Sequence, residues 1–133
     1  MTLELYKLDR EAHELVSKYS QHKDALNQAY KMRMTVVYGL ERFWGEHLRL
    51  QGVKADYWKD TWDKLAEIIL ATGIELPTDS NTDIRETANE LWSLPIEQRK
   101  VTLAVLTQLC DCMVWWTQRY KPVRSDQIDD EGE

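Results

Sequence analysis

Three basic residues and one tyrosine recur at helical spacing within residues 24–51. At about 100° per residue they fall within about 20° of one line, opposite the apolar residues of the same segment. Along a helix this line spans about 27 Å, which is long enough to contact several successive phosphates of a nucleic acid. The members of this predicted basic stripe, and our candidate nucleic-acid-binding residues, are Lys31, Tyr38, Arg42 and Arg49.

The stripe has two interpretations. In the first, the cations bind phosphates and the ring of Tyr38 offers a surface on which a base stacks. In the second, the stripe is the solvated face of a surface helix and binds nothing, as is usual for charged helix faces. Both interpretations stay open from the sequence.

Motifs for catalysis and for metal binding are missing from the sequence. It has no glycine-rich phosphate loop and no nucleophile elbow. A di-metal bundle needs Glu-x-x-His motifs on two helices, and the single approximation, at residues 11–14, has the wrong spacing. Helical bundles that hydrolyse nucleotide pyrophosphates need inward-facing E-x-x-E and E-x-x-D motifs. The two motifs cannot both be placed in this sequence. We therefore expect no enzyme, no metal site and no cofactor.

Five helices would position these residues. Apolar residues at a 3.6-residue period, with cap and stop signals, predict helices over about 3–20, 24–51, 55–73, 84–92 and 95–121. The second helix is long and carries the stripe. The fifth is apolar on most sides, which is typical of a central helix. The prediction is a single all-α bundle over residues 1–121, followed by an acidic, disordered tail at 122–133.

Composition agrees with one helical domain, because 43% of the 133 residues are apolar and only five are glycine. Residues 17–54 carry seven bases against three acids, a charge of +4, whereas residues 55–91 carry three bases against nine acids, a charge of −6. The net charge of −6 argues against a generally basic nucleic-acid coat but leaves room for a local patch.

Several signals predict a cytoplasmic protein. No apolar run approaches the roughly 18 residues of a membrane span, and the first residues lack the pattern of a signal peptide. Cys110 and Cys112 lie two residues apart in a helix, where they cannot form a disulfide with each other. We expect both thiols to be reduced and no contact with a membrane.

Individual side chains lead to further expectations. Arg33 lies on the apolar side of the second helix, so we expect a buried ion pair with Asp111, in preference to a ligand-binding arginine. The aromatic residues predicted for the core are Trp44, Trp62, Trp92 and Trp116. Those competing for inward room, some of which should reach the surface, are Tyr57, Trp58, Trp115 and Tyr120.

The chain resembles the small subunits of multi-subunit, Cascade-like CRISPR effector complexes. The likeness extends over residues 3–121 and lies in length, helix number, charge polarity and the long second helix with its basic stripe. It also includes the closing segments 94–100 (LPIEQRK) and 115–121 (WWTQRYK). The overall acidity of the chain departs from the basic character of several of those subunits.

The resemblance implies a non-catalytic subunit of an RNA-guided antiviral complex. Copies of such a subunit pack along the guide-RNA filament beside other protein subunits and contact guide RNA or target nucleic acid. The alternative is a small helical adaptor or regulatory protein that binds one protein partner and no nucleic acid. Surface tryptophans and tyrosines, here around Trp58 and Trp115, are typical of such protein interfaces.

Overall fold

The computed structural model describes residues 5–78 and 83–121, with side chains from residue 7 onward. A 3₁₀ turn, Val36–Tyr38, joins the third and fourth helices. The helices in the described ranges are α1 (Leu5–Lys18), α2 (Lys23–Leu26), α3 (Gln28–Thr35), α4 (Leu40–Arg49), α5 (Gly52–Leu70), α6 (Ile84–Trp92) and α7 (Ile96–Tyr120). Neither described range contains a strand, and the predicted all-α bundle is confirmed.

The core is built mainly on α5 and α7. As expected of a central helix, α7 packs against α1, α3 and α5. Its surface is less enclosed than predicted, because Val101 and Trp115 remain 41% and 46% exposed. The largest buried side chains come from α5, where the indole N–H of Trp58 donates to Oε1 of Gln28 (2.8 Å) and that of Trp62 to the Pro77 carbonyl (2.7 Å). Their polar edges are thereby satisfied inside the core.

The tryptophans divide differently from the prediction. Trp44 and Trp62 are buried as expected, whereas Trp92 is 63% exposed and the prediction for it is wrong. The inner face of α6 carries Leu91, and the next residue on a helix lies about 100° away from that face. Trp58 was among the residues expected to compete for inward room and was named as part of a surface for a protein partner. It is 1% exposed, so the prediction of a surface position is wrong.

The prediction of one long second helix over residues 24–51 is wrong. Residues 23–49 form α2, α3, the 3₁₀ turn and α4, and the chain changes direction at Gly39, which has φ +103° and ψ 169°. This backbone conformation is essentially restricted to glycine. The Gly39 carbonyl accepts the N–H of Phe43 (3.2 Å), so α4 starts anew just after the break. The hydrophobic period continues on both sides of Gly39, which is why the sequence pattern does not show it.

The expected ion pair between Arg33 and Asp111 is confirmed, with 2.6 Å between Nε and Oδ1. Its predicted burial is wrong, since the two side chains are 38% and 58% exposed. The pair joins the outer edges of α3 and α7 rather than their buried faces. Both cysteines are free as predicted, with Cys110 buried and Cys112 half-buried.

The remaining helix ends follow local signals. Asp83 caps α6 by accepting the N–H of Arg85 (2.9 Å), and α7 begins directly after Pro95, as predicted. The first residues of the predicted first helix, the loop residues 79–82 and the acidic tail at 122–133 lie outside the described residues. Among the described helices, none combines the length and apolarity that crossing a bilayer would require.

Candidate nucleic-acid-binding surface

The four residues of the predicted stripe lie on three elements. Lys31 belongs to α3, Tyr38 ends the 3₁₀ turn, and Arg42 and Arg49 belong to α4. All four side chains are exposed. Because the chain turns at Gly39, they do not form the straight line of a single helix, and their relation follows from the contacts below.

Arg42 and Arg49 lie on one face of α4, with Glu46 between them. Arg42, Glu46 and Arg49 are neighbours on the helix because they are four and three residues apart. Arg49 donates from Nε to Oε1 of Glu46 (2.8 Å) and from Nη2 to Oε2 (2.7 Å). These hydrogen bonds lower the pKa of Glu46 against the effect of partial burial, and the charges of Arg49 and Lys31 lower it further. Lys31 of α3 therefore acts electrostatically on this face of α4.

Tyr38 and Arg42 form the other end of this surface. The guanidinium carbon of Arg42 lies 5.8 Å from the centre of the Tyr38 ring, a cation–π distance. Tyr38 is 66% exposed. A base stacking on this ring would thus lie beside a cation able to bind the neighbouring phosphate.

A cleft of about 640 Å³ opens at the Arg49 end, between the α1–α2 and α4–α5 connections. Lys23 and Lys54 line it together with Arg49, whereas Asp24 is its one carboxylate. Ala25, Leu50 and Val53 supply apolar wall. Together with the residues described above, the cations of this cleft form what we call the basic surface: Lys23, Lys31, Tyr38, Arg42, Arg49 and Lys54.

The cations of the basic surface are mostly unpaired. Lys23, Lys31, Arg42 and Lys54 form no ion pair with any carboxylate that the structure describes. Four more such cations lie elsewhere, namely Arg10 on α1, Arg85 on α6, and Arg119 and Lys121 at the end of α7, where the last two lie over the rings of Trp115 and Tyr30. By contrast, the lysines beside and within the later turns of α5 are neutralised. The pairs there are Lys18–Asp60 (2.6 Å), Lys59–Asp63 (2.7 Å), Lys64–Glu11 (3.0 Å) and Lys64–Glu67 (3.1 Å).

Sequence reasoning missed part of this surface. Lys23 and Lys54 line one cleft although they are far apart in the sequence, and no local spacing reveals this. Glu46 was detectable, because acids three residues before an arginine are helix-surface neighbours.

Exposed apolar side chains form a second notable feature. Met34 and Val37 are 71% and 74% exposed beside Tyr38, and Trp92 and Ile96 are 63% and 66% exposed where α6 meets α7. Arg99 connects the two sites, since it donates to Oε2 of Glu41 (2.8 Å) near the first and to the Leu91 carbonyl (2.5 Å) near the second.

The cysteine thiols are not poised as nucleophiles. Burial raises the pKa of Cys110, and burial together with the nearby Asp9 raises that of Cys112, so both favour the unreactive thiol. Within residues 5–78 and 83–121, no three His, Cys, Asp or Glu side chains gather as metal ligands.

No protein-family model matches the chain, and neither a curated protein nor a solved structure shows significant similarity to it. The basic surface and the exposed apolar side chains are therefore the features from which a function is inferred.

Proposed function

We propose that the chain is a non-catalytic subunit of a nucleoprotein assembly and that its basic surface contacts the nucleic-acid backbone. The resemblance of the sequence suggests an RNA-guided CRISPR surveillance complex, in which the subunit packs beside other subunits and copies of itself along the guide RNA. One observation carries the proposal. Four cations without a carboxylate partner, Lys23, Lys31, Arg42 and Lys54, lie on α2, α3, α4 and the start of α5, whereas the other four are spread over α1, α6 and the end of α7.

Unpaired, exposed cations are suited to phosphates for a physical reason. Binding releases the counterions condensed on the nucleic acid, and this gain is available only to cations that no carboxylate already neutralises. Lys23, Lys31, Arg42 and Lys54 meet this condition. The acid-rich segment 55–91 repels the same strand, so the charge polarity of the chain orients it.

The test is a triple charge reversal, Lys31→Glu, Arg42→Glu and Arg49→Glu, with binding to labelled single-stranded RNA and to an RNA–DNA duplex measured over a range of salt. We expect the circular dichroism spectrum to be unchanged, because exposed charges contribute little to stability. Affinity should fall strongly at low salt. The slope of log affinity against log salt should flatten by about 1.4 to 1.8, because Lys31 and Arg42 are the unpaired cations of the three and each lost phosphate contact contributes about 0.7 to 0.9.

A matched control makes the same change in net charge elsewhere. Arg10→Glu, Arg85→Glu and Lys100→Glu reverse three exposed cations outside the basic surface. We expect this variant to keep most of the affinity. Equal losses in the two variants, or wild-type binding by the first variant at low salt, would contradict a specific role for the basic surface.

The second candidate is an adaptor that binds a protein partner and no nucleic acid. The exposed apolar side chains on either side of Arg99 favour it, because apolar surface of this kind is typical of protein interfaces. Absence of any nucleic-acid binding by the wild-type chain would favour this candidate. The variant Val37→Asp with Trp92→Asp would then be expected to lose the partner while it keeps the fold.

A further inference from the structure

The cleft at the Arg49 end of the basic surface collects cations from three separate segments. Lys23 is the first residue of α2, Arg49 is the last residue of α4, and Lys54 lies in the first turn of α5. Two connections distant in the sequence, α1–α2 and α4–α5, thus contribute cations to one cleft, which distinguishes it from the open face of α4. A nucleic-acid backbone that runs along a surface is bound by cations in a row. A single anionic group is better bound by cations that line one cleft around it.

The donors of the cleft are available. Lys23 and Lys54 have no ion pair within the part of the chain that the structure describes. Arg49 uses its Nε and Nη2 on Glu46, and a guanidinium has further N–H donors beyond these two. The single carboxylate of the lining, Asp24, leaves the cleft positively charged. The expected ligand is therefore an anion.

The size and the walls of the cleft narrow the ligand class. A volume of about 640 Å³ falls in the range of small-molecule sites and exceeds what one inorganic anion needs. Ala25, Leu50 and Val53 offer apolar wall beside the cations. This combination suits an anionic group attached to a flat, partly apolar body, as in a nucleoside phosphate.

A terminal phosphate fits these donors better than an internal one. It carries a charge of about −1.5 to −2 at neutral pH and has three unesterified oxygens, whereas a phosphodiester has one charge and a chain on both sides. We infer that the cleft binds a nucleotide by its terminal phosphate, through Lys23, Arg49 and Lys54. The terminal phosphate belongs either to a strand end or to a free nucleotide, and the strand-end case rests on the function proposed above.

The experiment compares five probes on the full chain by fluorescence anisotropy and calorimetry. Three are the same RNA with a 5′ phosphate, with a 3′ phosphate and with hydroxyl ends; the others are adenosine 5′-monophosphate and inorganic phosphate. The cleft variant is Lys23→Gln with Lys54→Gln. Its matched control, Lys31→Gln with Arg42→Gln, removes two cations of the basic surface outside the cleft. Circular dichroism verifies that both variants fold.

We expect wild type to prefer one phosphorylated RNA over the hydroxyl RNA, and the cleft variant to lose about tenfold in affinity for it and most of the preference. The control should weaken all three RNAs alike and keep the preference. Binding of adenosine monophosphate but of no RNA would support the cleft as a free-nucleotide site while it contradicts the proposed function.

Two results would overturn the inference about the cleft. One is equal affinity for phosphorylated and hydroxyl RNA without binding of adenosine monophosphate, which would leave the proposed function intact. The other is a phosphate preference that the cleft variant retains, because the terminal phosphate would then bind elsewhere.

Discussion

Two regions of the molecule differ in the burial of their aromatic rings and in the pairing of their charges. One is formed by α7 and most of α5, and the other is the segment from α2 to the start of α5. On α5, Tyr57, Trp58 and Trp62 are buried. Lys59 and Lys64 pair there with acids of α1 or of α5 itself. Across the segment 23–54 the cations remain mostly unpaired, and Val37 and Tyr38 are exposed. The first region buries its large rings and acts as the scaffold. The second leaves donors and apolar surface available to a partner.

The irregular backbone of the second region is what brings its cations together. A continuous helix would spread Lys31 and Arg49 along one line and keep Lys23 at its far end. In the structure that helix is broken at Gly39, Lys31 acts on Glu46, and Arg49 lines a cleft with Lys23. A convergent surface thus arises from a break that removes helical regularity.

The largest expected effect tests the scaffold side of the comparison. Leu109→Ala removes a fully buried side chain from α7 and leaves a cavity, so the free energy of unfolding should fall by about 2 to 5 kcal/mol. Val37→Ala, at a 74% exposed position in the other region, should change it by less than about 0.5 kcal/mol. Chemical denaturation measures both. Similar values for the two variants would contradict the division into scaffold and binding region.

The second effect tests the break itself, with two glycines of the same segment. Gly39→Ala places a side chain at φ +103° and should lower the free energy of unfolding by about 1 to 3 kcal/mol. Gly45→Ala lies inside α4 with no atom within 4 Å of the added carbon, and should raise it by about 0.5 to 1 kcal/mol. Thermal or denaturant unfolding shows whether each variant raises or lowers the free energy of unfolding. A neutral or stabilising Gly39→Ala would show that the turn is not required.

These two glycines also show why the fold was only partly predictable. The limits of α7 follow from Pro95 and a long apolar run, both of which are local signals. Gly39 and Gly45 have no such difference in their local pattern, yet one breaks the chain and the other continues a helix. The packing of the 3₁₀ turn against α7 is a tertiary contact, which a local pattern does not contain.

The candidate site was predictable to a similar extent. Lys31, Tyr38, Arg42 and Arg49 were selected by their types and spacing, and their exposure agrees with a surface role. The spacing that selected them assumed a helix that does not exist. The contribution of Lys23 and Lys54 depends on tertiary packing, because two connections distant in the sequence line the cleft, and it could not be predicted from local spacing.

The smallest effect concerns Glu46, the acid that interrupts the basic surface. Its pKa is lowered, first by the hydrogen bonds from Arg49, so it is charged at neutral pH and competes with phosphate for that guanidinium. Glu46→Gln should release Arg49 and raise the affinity for single-stranded RNA by about two- to fivefold at low salt. If Arg49 gains a phosphate contact, the salt dependence should steepen by up to about 0.7 to 0.9.

The control for Glu46 is Glu97→Gln, which removes the same charge from another i, i+3 pair outside the basic surface, the exposed and longer Glu97–Lys100 pair (4.0 Å). Both variants raise the net charge by one, so a general electrostatic attraction would strengthen RNA binding equally in both. A contact with Arg49 would strengthen it only in the first, because only there does the mutation free a cation that lies beside Lys31 and the cleft. An unchanged affinity of Glu46→Gln at low salt would exclude Arg49 from the nucleic-acid path and confine binding to the unpaired cations.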